Sequence, residues 1–158
     1  MAREISLQGL AGALSAMASR LESQKPEILE AIASKMEAQA KAKIGLYQDE
    51  VGPFNAWSQL KPETQRERVR HGYTPNDPLL RSGDLRDSYS HEIAGDAAII
   101  GSDSMIAVYQ ELGTHGVGVD PETGYHVPPR PVLGPVAYEA GPIVEAAVAE
   151  AIEKAIKE

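Results

Sequence analysis

Four histidines, His71, His91, His115 and His126, are the side chains best placed by type to move protons or ligate a metal near neutral pH. His115 and His126 bracket Asp120 and Glu122, which raises a metal-dependent hydrolase as one reading. The spacing argues against it. No His-x-x-x-His lies on a helical pattern, and no tight Asp/Glu loop of the calcium-binding kind is present. Ser82, Ser88 and Ser90 lack the G-x-S-x-G setting of a nucleophile elbow. The glycines of Gly113–Gly118 lack the Lys-Ser/Thr of a phosphate loop and the strand-to-helix context of a dinucleotide site. No carboxylate pair falls in an apolar stretch suited to glycoside hydrolysis. No catalytic residue, metal or cofactor is therefore assigned, and the chain reads as a non-enzyme.

Binding is the better use for the polar residues. Arg81-Ser82-Gly83-Asp84-Leu85-Arg86 joins a glycine that permits a tight turn, an acid that can cap a helix or turn, and two arginines able to grip carboxylates. Those arginines can brace their own chain or reach across an interface. A second basic group, Arg66, Arg68, Arg70 and His71, is either a solvated face or part of an arm that docks on a neighbour. The interface candidates are Trp57, Arg66, Arg68, Arg70, Arg81, Asp84, Arg86, Glu111, His115 and Arg130. Arg81 and Arg130 are expected at the rims of a small sheet, in turn-like sequence, so that replacing either leaves the fold largely intact.

The elements that must hold these residues follow from periodicity. Ile5, Leu7, Leu10, Leu14, Met17 and Leu21 recur at helical spacing, and so do Ile28, Ile32, Met36, Ala40 and Ile44. Pro26 lies between the two stripes, and Gly45 supplies a stop. The pattern predicts a core-facing helical hairpin or one long kinked helix; a coiled-coil or partner-binding face is the alternative. Residues 46–78 hold the turn signals Gly52-Pro53 and Asn76-Asp77-Pro78 and read as an arm or loop, with a short helix possible from Pro62; Trp57 and Leu60 are expected to tuck under the domain. Tyr89–Ala94 and Ala97–Ser102, split by Gly95-Asp96, predict a β-hairpin with a type II′ turn. A short amphipathic piece runs from Ala107 and stops at Gly113, and 113–125 reads as a flexible loop. Pro128-Pro129-Arg130-Pro131 excludes helix and central strand. A last helix runs from about Pro142 to Lys157, with Ile143, Val144, Ala147, Val148, Ala151, Ile152, Ala155 and Ile156 as its apolar stripe.

The sum is one α+β domain over 1–158. It has a helical part (1–45), an arm or loop (46–78), a sheet module (79–135) and a C-terminal helix (136–158), with the small antiparallel hairpin packed against the long helices. At 158 residues, 42% hydrophobic and 24% charged, the chain suits an ordinary globular core, aliphatic because aromatics are only 5%. A net charge of −8 disfavours nonspecific binding to nucleic acid or anionic membrane. Cysteine is absent, which excludes disulfides and thiolate chemistry. No stretch reads as a signal peptide or membrane span, so a soluble protein is expected.

Taken in order, W-x-x-L-x-P-x-T at Trp57–Thr64, L-L-R-S-G-D-L-R-D-S at Leu79–Ser88, I-I-G-S at Ile99–Ser102, A-x-x-x-E-x-G-T at Ala107–Thr114 and P-P-R-P at Pro128–Pro131 carry a resemblance. The chain resembles the virion morphogenesis and tail-completion (minor tail, head–tail joining) proteins of tailed bacteriophages and Mu-like prophages. Leu112 departs from it, standing where an aromatic is usual. The resemblance implies a small α+β subunit that binds rather than catalyses. It implies a homo-oligomer, commonly a hexameric ring, in the neck or upper tail of the virion, made in the host cytoplasm. Its implied partners are the tail terminator or tail tube and the head-completion or portal-side neck proteins, with no membrane. A tail terminator is the alternative within the class, and a host-side adaptor the alternative outside it. An acidic surface would let genome DNA pass through such a ring without sticking.

Overall fold

The computed structural model describes residues 6–114 and 126–157. Its architecture is α+β. A first helix, α1, spans Leu7–Lys43, about 55 Å of continuous α-helix. Ser6 caps it, its hydroxyl accepting the Gly9 N–H at 3.1 Å. Of the two forms expected, the structure adopts the single long helix, with Pro26 inside it. Proline removes one backbone donor there. Neighbours clasp both sides of the defect: Lys25 pairs with Asp96 at the hairpin tip (2.8 Å), Arg20 donates to the Ala155 carbonyl (3.0 Å), and Lys154 pairs with Glu27 (3.4 Å). The helix ends where Gly45, at φ +98°, donates its N–H to the Pro78 carbonyl at 2.8 Å.

Residues 46–78, read as an arm or loop, contain the short helix α2, Pro62–Arg70, with proline at its first position. A one-turn helix α3, Asp84–Asp87, follows Gly83 at φ +102°, a conformation that favours glycine. Strands β1 (Tyr89–Ala94) and β2 (Ala97–Ser102) pair antiparallel, with Tyr89 opposite Ser102 and Ala94 opposite Ala97. Gly95 has φ +60° and Asp96 stays out of the left-handed region, as a type II′ turn requires. Helix α4 spans Met105–Leu112, α5 Leu133–Tyr138 and α6 Gly141–Lys157.

The core gathers at one end of α1. Ala40, Ile44, Trp57, Tyr89, Ala107, Val132 and Val136 form it, with Met36, Leu79, Leu80, Leu85 and Leu133 around them. Along the middle of α1, α6 packs through Ala147, Ala151 and Ala155, whose small side chains let the two helices approach closely. The hairpin lies on α1 as well, pinned by His91: Nδ1 meets Glu37 Oε2 at 2.5 Å and Nε2 meets Glu30 Oε1 at 3.1 Å.

The first α1 stripe departs from the core-facing expectation. Leu7, Leu10 and Leu14 are 87%, 47% and 58% exposed, and every residue from 6 to 16 is exposed. The reason is length. Helix α6 reaches only to the level of Arg20, so the first three turns of α1 extend beyond any described element that could cover them.

Candidate functional site

Between α2, α3 and α4 lies a cleft of about 440 Å³ that gathers Arg68, Arg81, Asp84 and Arg130 with Ile106 and Gln110. The candidates from sequence separate here by burial. Arg68 is buried: its Nε donates to the Thr74 carbonyl at 2.8 Å and its Nη2 to the Leu80 carbonyl. Arg130 is buried too, and its Nη2 donates to the Ser58 carbonyl at 2.9 Å while its backbone N–H reaches the Gln110 carbonyl at 2.6 Å. The expected rim position of Arg130 is thereby corrected, because the Pro-rich strap turns it inward against α4. Trp57 lies in the core with its Nε1–H on the Pro131 carbonyl at 3.2 Å. These residues fasten loops that have no ladder of their own, and buried carbonyls need such donors.

Glu111 does the same from α4. Its Oε2 accepts the N–H groups of Val132 (2.8 Å) and Leu133 (3.1 Å), and its Oε1 that of Gly134 (2.7 Å). One carboxylate thus supplies the acceptors at the start of α5, a helix with no side-chain cap of its own. Gly134 is what permits the approach, since a Cβ there would lie 2.5 Å from the Phe54 ring and 3.2 Å from Glu111 Oε1.

The remaining candidates stay at the surface. Arg81 donates to Glu67 Oε1 at 3.0 Å and lies 4.9 Å over the Tyr73 ring. Asp84 accepts from the Ser82 hydroxyl at 2.7 Å, Arg86 pairs with Asp87 at 3.1 Å, and Arg66 with Glu63 at 2.9 Å. Arg70 is exposed at the end of α2. The basic run is thus split: Arg68 turns into the protein while Arg66, Arg70 and His71 face out. His115, Asp120 and Glu122 fall outside the described residues, and His126 is exposed. Among the described residues, no group of three or more His, Asp or Glu is arranged to hold a metal ion, and no helix is long and apolar enough to cross a membrane.

The apolar surface of α4 is not among the candidates from sequence. On α4, only Ala107 is buried, while Met105, Ile106, Val108, Tyr109 and Leu112 are exposed, Leu112 by 73%. Beside them lies a cavity of about 210 Å³ lined by Tyr89, Ala107, Val108, Leu112 and Leu133, with Ser102 and Glu111 as its polar members. Tyr89 is only 1% exposed, and its hydroxyl has no hydrogen-bond partner among the described residues. Burial, with the Glu111 carboxylate as the lesser cause, pushes that hydroxyl up to about 12. A signal existed in the sequence: Met105–Leu112 is apolar nearly all round, more than one face of a helix can bury in a small domain.

The model of the phage virion morphogenesis family matches residues 5–156. The chain belongs to that family. The match takes in the Trp57, Arg81–Arg86, Glu111 and Arg130 segments together with the exposed stretch of α1. No curated protein and no solved structure matches. A virion morphogenesis protein contributes to building the particle. The geometry described above fits that role, with polar residues spent on holding loops and apolar residues left at the surface.

Proposed function

We infer that this virion morphogenesis protein is a structural subunit that completes the tail or joins it to the head, as copies arranged in a ring in the neck. The observation that carries the reading is the apolar surface at two separated places, the start of α1 and the outer face of α4. Exposed apolar patches rimmed by polar residues mark protein–protein contact. Charge is consistent with this reading: −8 overall disfavours a role in gripping genome DNA. The partners in this reading are further copies of the chain, the tail terminator or tail tube on one side, and head-completion or portal-side proteins on the other.

The test is made in the phage. Deleting the chain should yield separate heads and tails that fail to join, and cryo-microscopy of wild-type virions should show its density as a closed ring between them. Normal virions from the deletion, or density elsewhere in the particle, would overturn the assignment.

A further inference from the structure

Residues 6–19, SLQGLAGALSAMAS, contain no charge in a chain that is 24% charged. From Leu7 this is about 20 Å of helix, and its Leu7, Leu10 and Leu14 share one face because they recur at three and four residues. Gly9 and Gly12 keep the backbone accessible; a Cβ at Gly12 would meet nothing within 4 Å.

The second unpartnered surface is the α4 face with its cavity. At about 210 Å³ this cavity exceeds the ~150 Å³ apolar cavity that accommodates benzene, so it has room for a branched aliphatic side chain. Its lining includes the buried Tyr89, whose hydroxyl has no hydrogen-bond partner among the described residues. The only charge on α4 is Glu111, already committed to three backbone N–H groups. An uncharged, apolar ligand would meet the chemistry of this place, and residues 6–19 are uncharged.

The two surfaces cannot meet within one chain. Ala107 of α4 belongs to the same core cluster as Ala40 and Ile44 at the C-terminal end of α1. Leu14 lies 26 residues before Ala40 on one unbroken helix, about 39 Å away. A groove on α6 is a poorer acceptor. The groove between α6 and α1 is lined by Glu27, Glu150 and Lys154, which an uncharged arm would desolvate without pairing.

We propose that the Leu7–Leu10–Leu14 face of one copy docks on the α4 face of a second copy, with a leucine entering the Tyr89–Leu112 cavity. The contact is heterologous, since each copy offers the arm at one end and the receptor at the other. Repetition by a constant rotation closes a ring when that rotation divides a full turn, and otherwise runs on as an open helix. Each contact is small, and its strength in the assembly comes from closure, which makes the last contact intramolecular. This inference rests on the reading that copies of the chain assemble with one another, and it names the surfaces they use.

The absence of cysteine makes a clean test possible. Leu14→Cys and Leu112→Cys, both at exposed positions, are made singly and together in the full chain. A short bismaleimide is applied to purified protein and to assembled virions, and native mass is measured in parallel on the wild type. Expected are a ladder of crosslinked copies from the double variant, dimers only from an equimolar mixture of the two single variants, and no crosslinking from either alone. Dimers from Leu14→Cys alone would mean arm-on-arm contact and overturn the proposal. So would crosslinking to a different virion protein, or none at all. If wild-type protein is a closed oligomer and no crosslink forms, the docking proposal fails while the ring stands. If the wild type is monomeric in solution and not a ring in the virion, the ring reading itself fails.

Discussion

The two halves of α1 carry nearly the same apolar spacing and meet opposite fates. In the second half, Ala33, Ala40 and the capping Ile44 are buried, and α6, the hairpin and α5 pack on this part of the helix. In the first, Leu7, Leu10 and Leu14 face water. Periodicity says which side of a helix is apolar; it does not say whether the same chain provides the cover. What separates the halves is the supply of neighbours, and those neighbours are held in place by buried polar residues near Ala40 and Ile44. Energetics should follow the same division.

The largest contrast is expected between Glu111 and Leu14. Glu111→Ala leaves three part-buried backbone N–H groups at the start of α5 without their acceptor, and at about 1 kcal/mol for each hydrogen bond lost the cost should be about 3 kcal/mol. Leu14 is exposed, so Leu14→Ala should change monomer stability by less than about 0.5 kcal/mol. Denaturant unfolding of both variants measures the difference, and a Leu14 effect as large as that of Glu111 would erase the distinction between the halves.

A smaller contrast sets Arg130 against Arg81. Arg130→Ala removes the donor to the Ser58 carbonyl and a buried side chain that packs the strap, an expected cost of about 2 kcal/mol. Arg81 is half exposed, with an exposed partner in Glu67, so Arg81→Ala should stay within about 0.5 kcal/mol. Thermal melting orders the two; equal shifts would mean that the surface box braces the fold as much as the buried arginine does.

The smallest effect concerns pH and the His91 pin on the middle of α1. Hydrogen bonds to Glu30 first and Glu37 second raise His91 above its ordinary 6.5. Lys41 first and His91 second hold Glu37 below its ordinary 4.5. The histidine's contribution is therefore full below 6.5 and fades as pH rises through its higher folded value, while that of Glu37 is full above 4.5 and fades as pH falls. The pin is strongest between those limits. Wild-type stability should drop slightly from pH 6 to pH 8, and His91→Gln should flatten that part of the profile. An unchanged slope in the variant would place the titration elsewhere.

Several features were legible because they are local. The hairpin and its turn follow from Gly95-Asp96 between two short apolar runs. The stop at Gly45 and the turn at Gly83 follow from glycines that both adopt positive φ. The Pro62 helix start follows from the fixed φ of proline. Less visible was the division of labour among the polar candidates. Arg66, Arg68 and Arg70 alternate along one short run, yet only Arg68 finds two carbonyls to serve, because Thr74 and Leu80 return beside it in space. Glu111 and Arg130 belong to segments joined across 113–127, and nothing in either segment alone states that one caps α5 and the other ties down Ser58.

By itself the sequence determined the hairpin, the helical character of the two ends and the α+β class, since these depend on side-chain period, turn residues and the limits proline and glycine set on the backbone. It also determined the family, through motifs spread along the chain. Only the tertiary structure decided which apolar faces are covered and which arginines are buried. Both depend on where distant segments return in space, and helix α6 returns far enough to cover α1 only as far as Arg20.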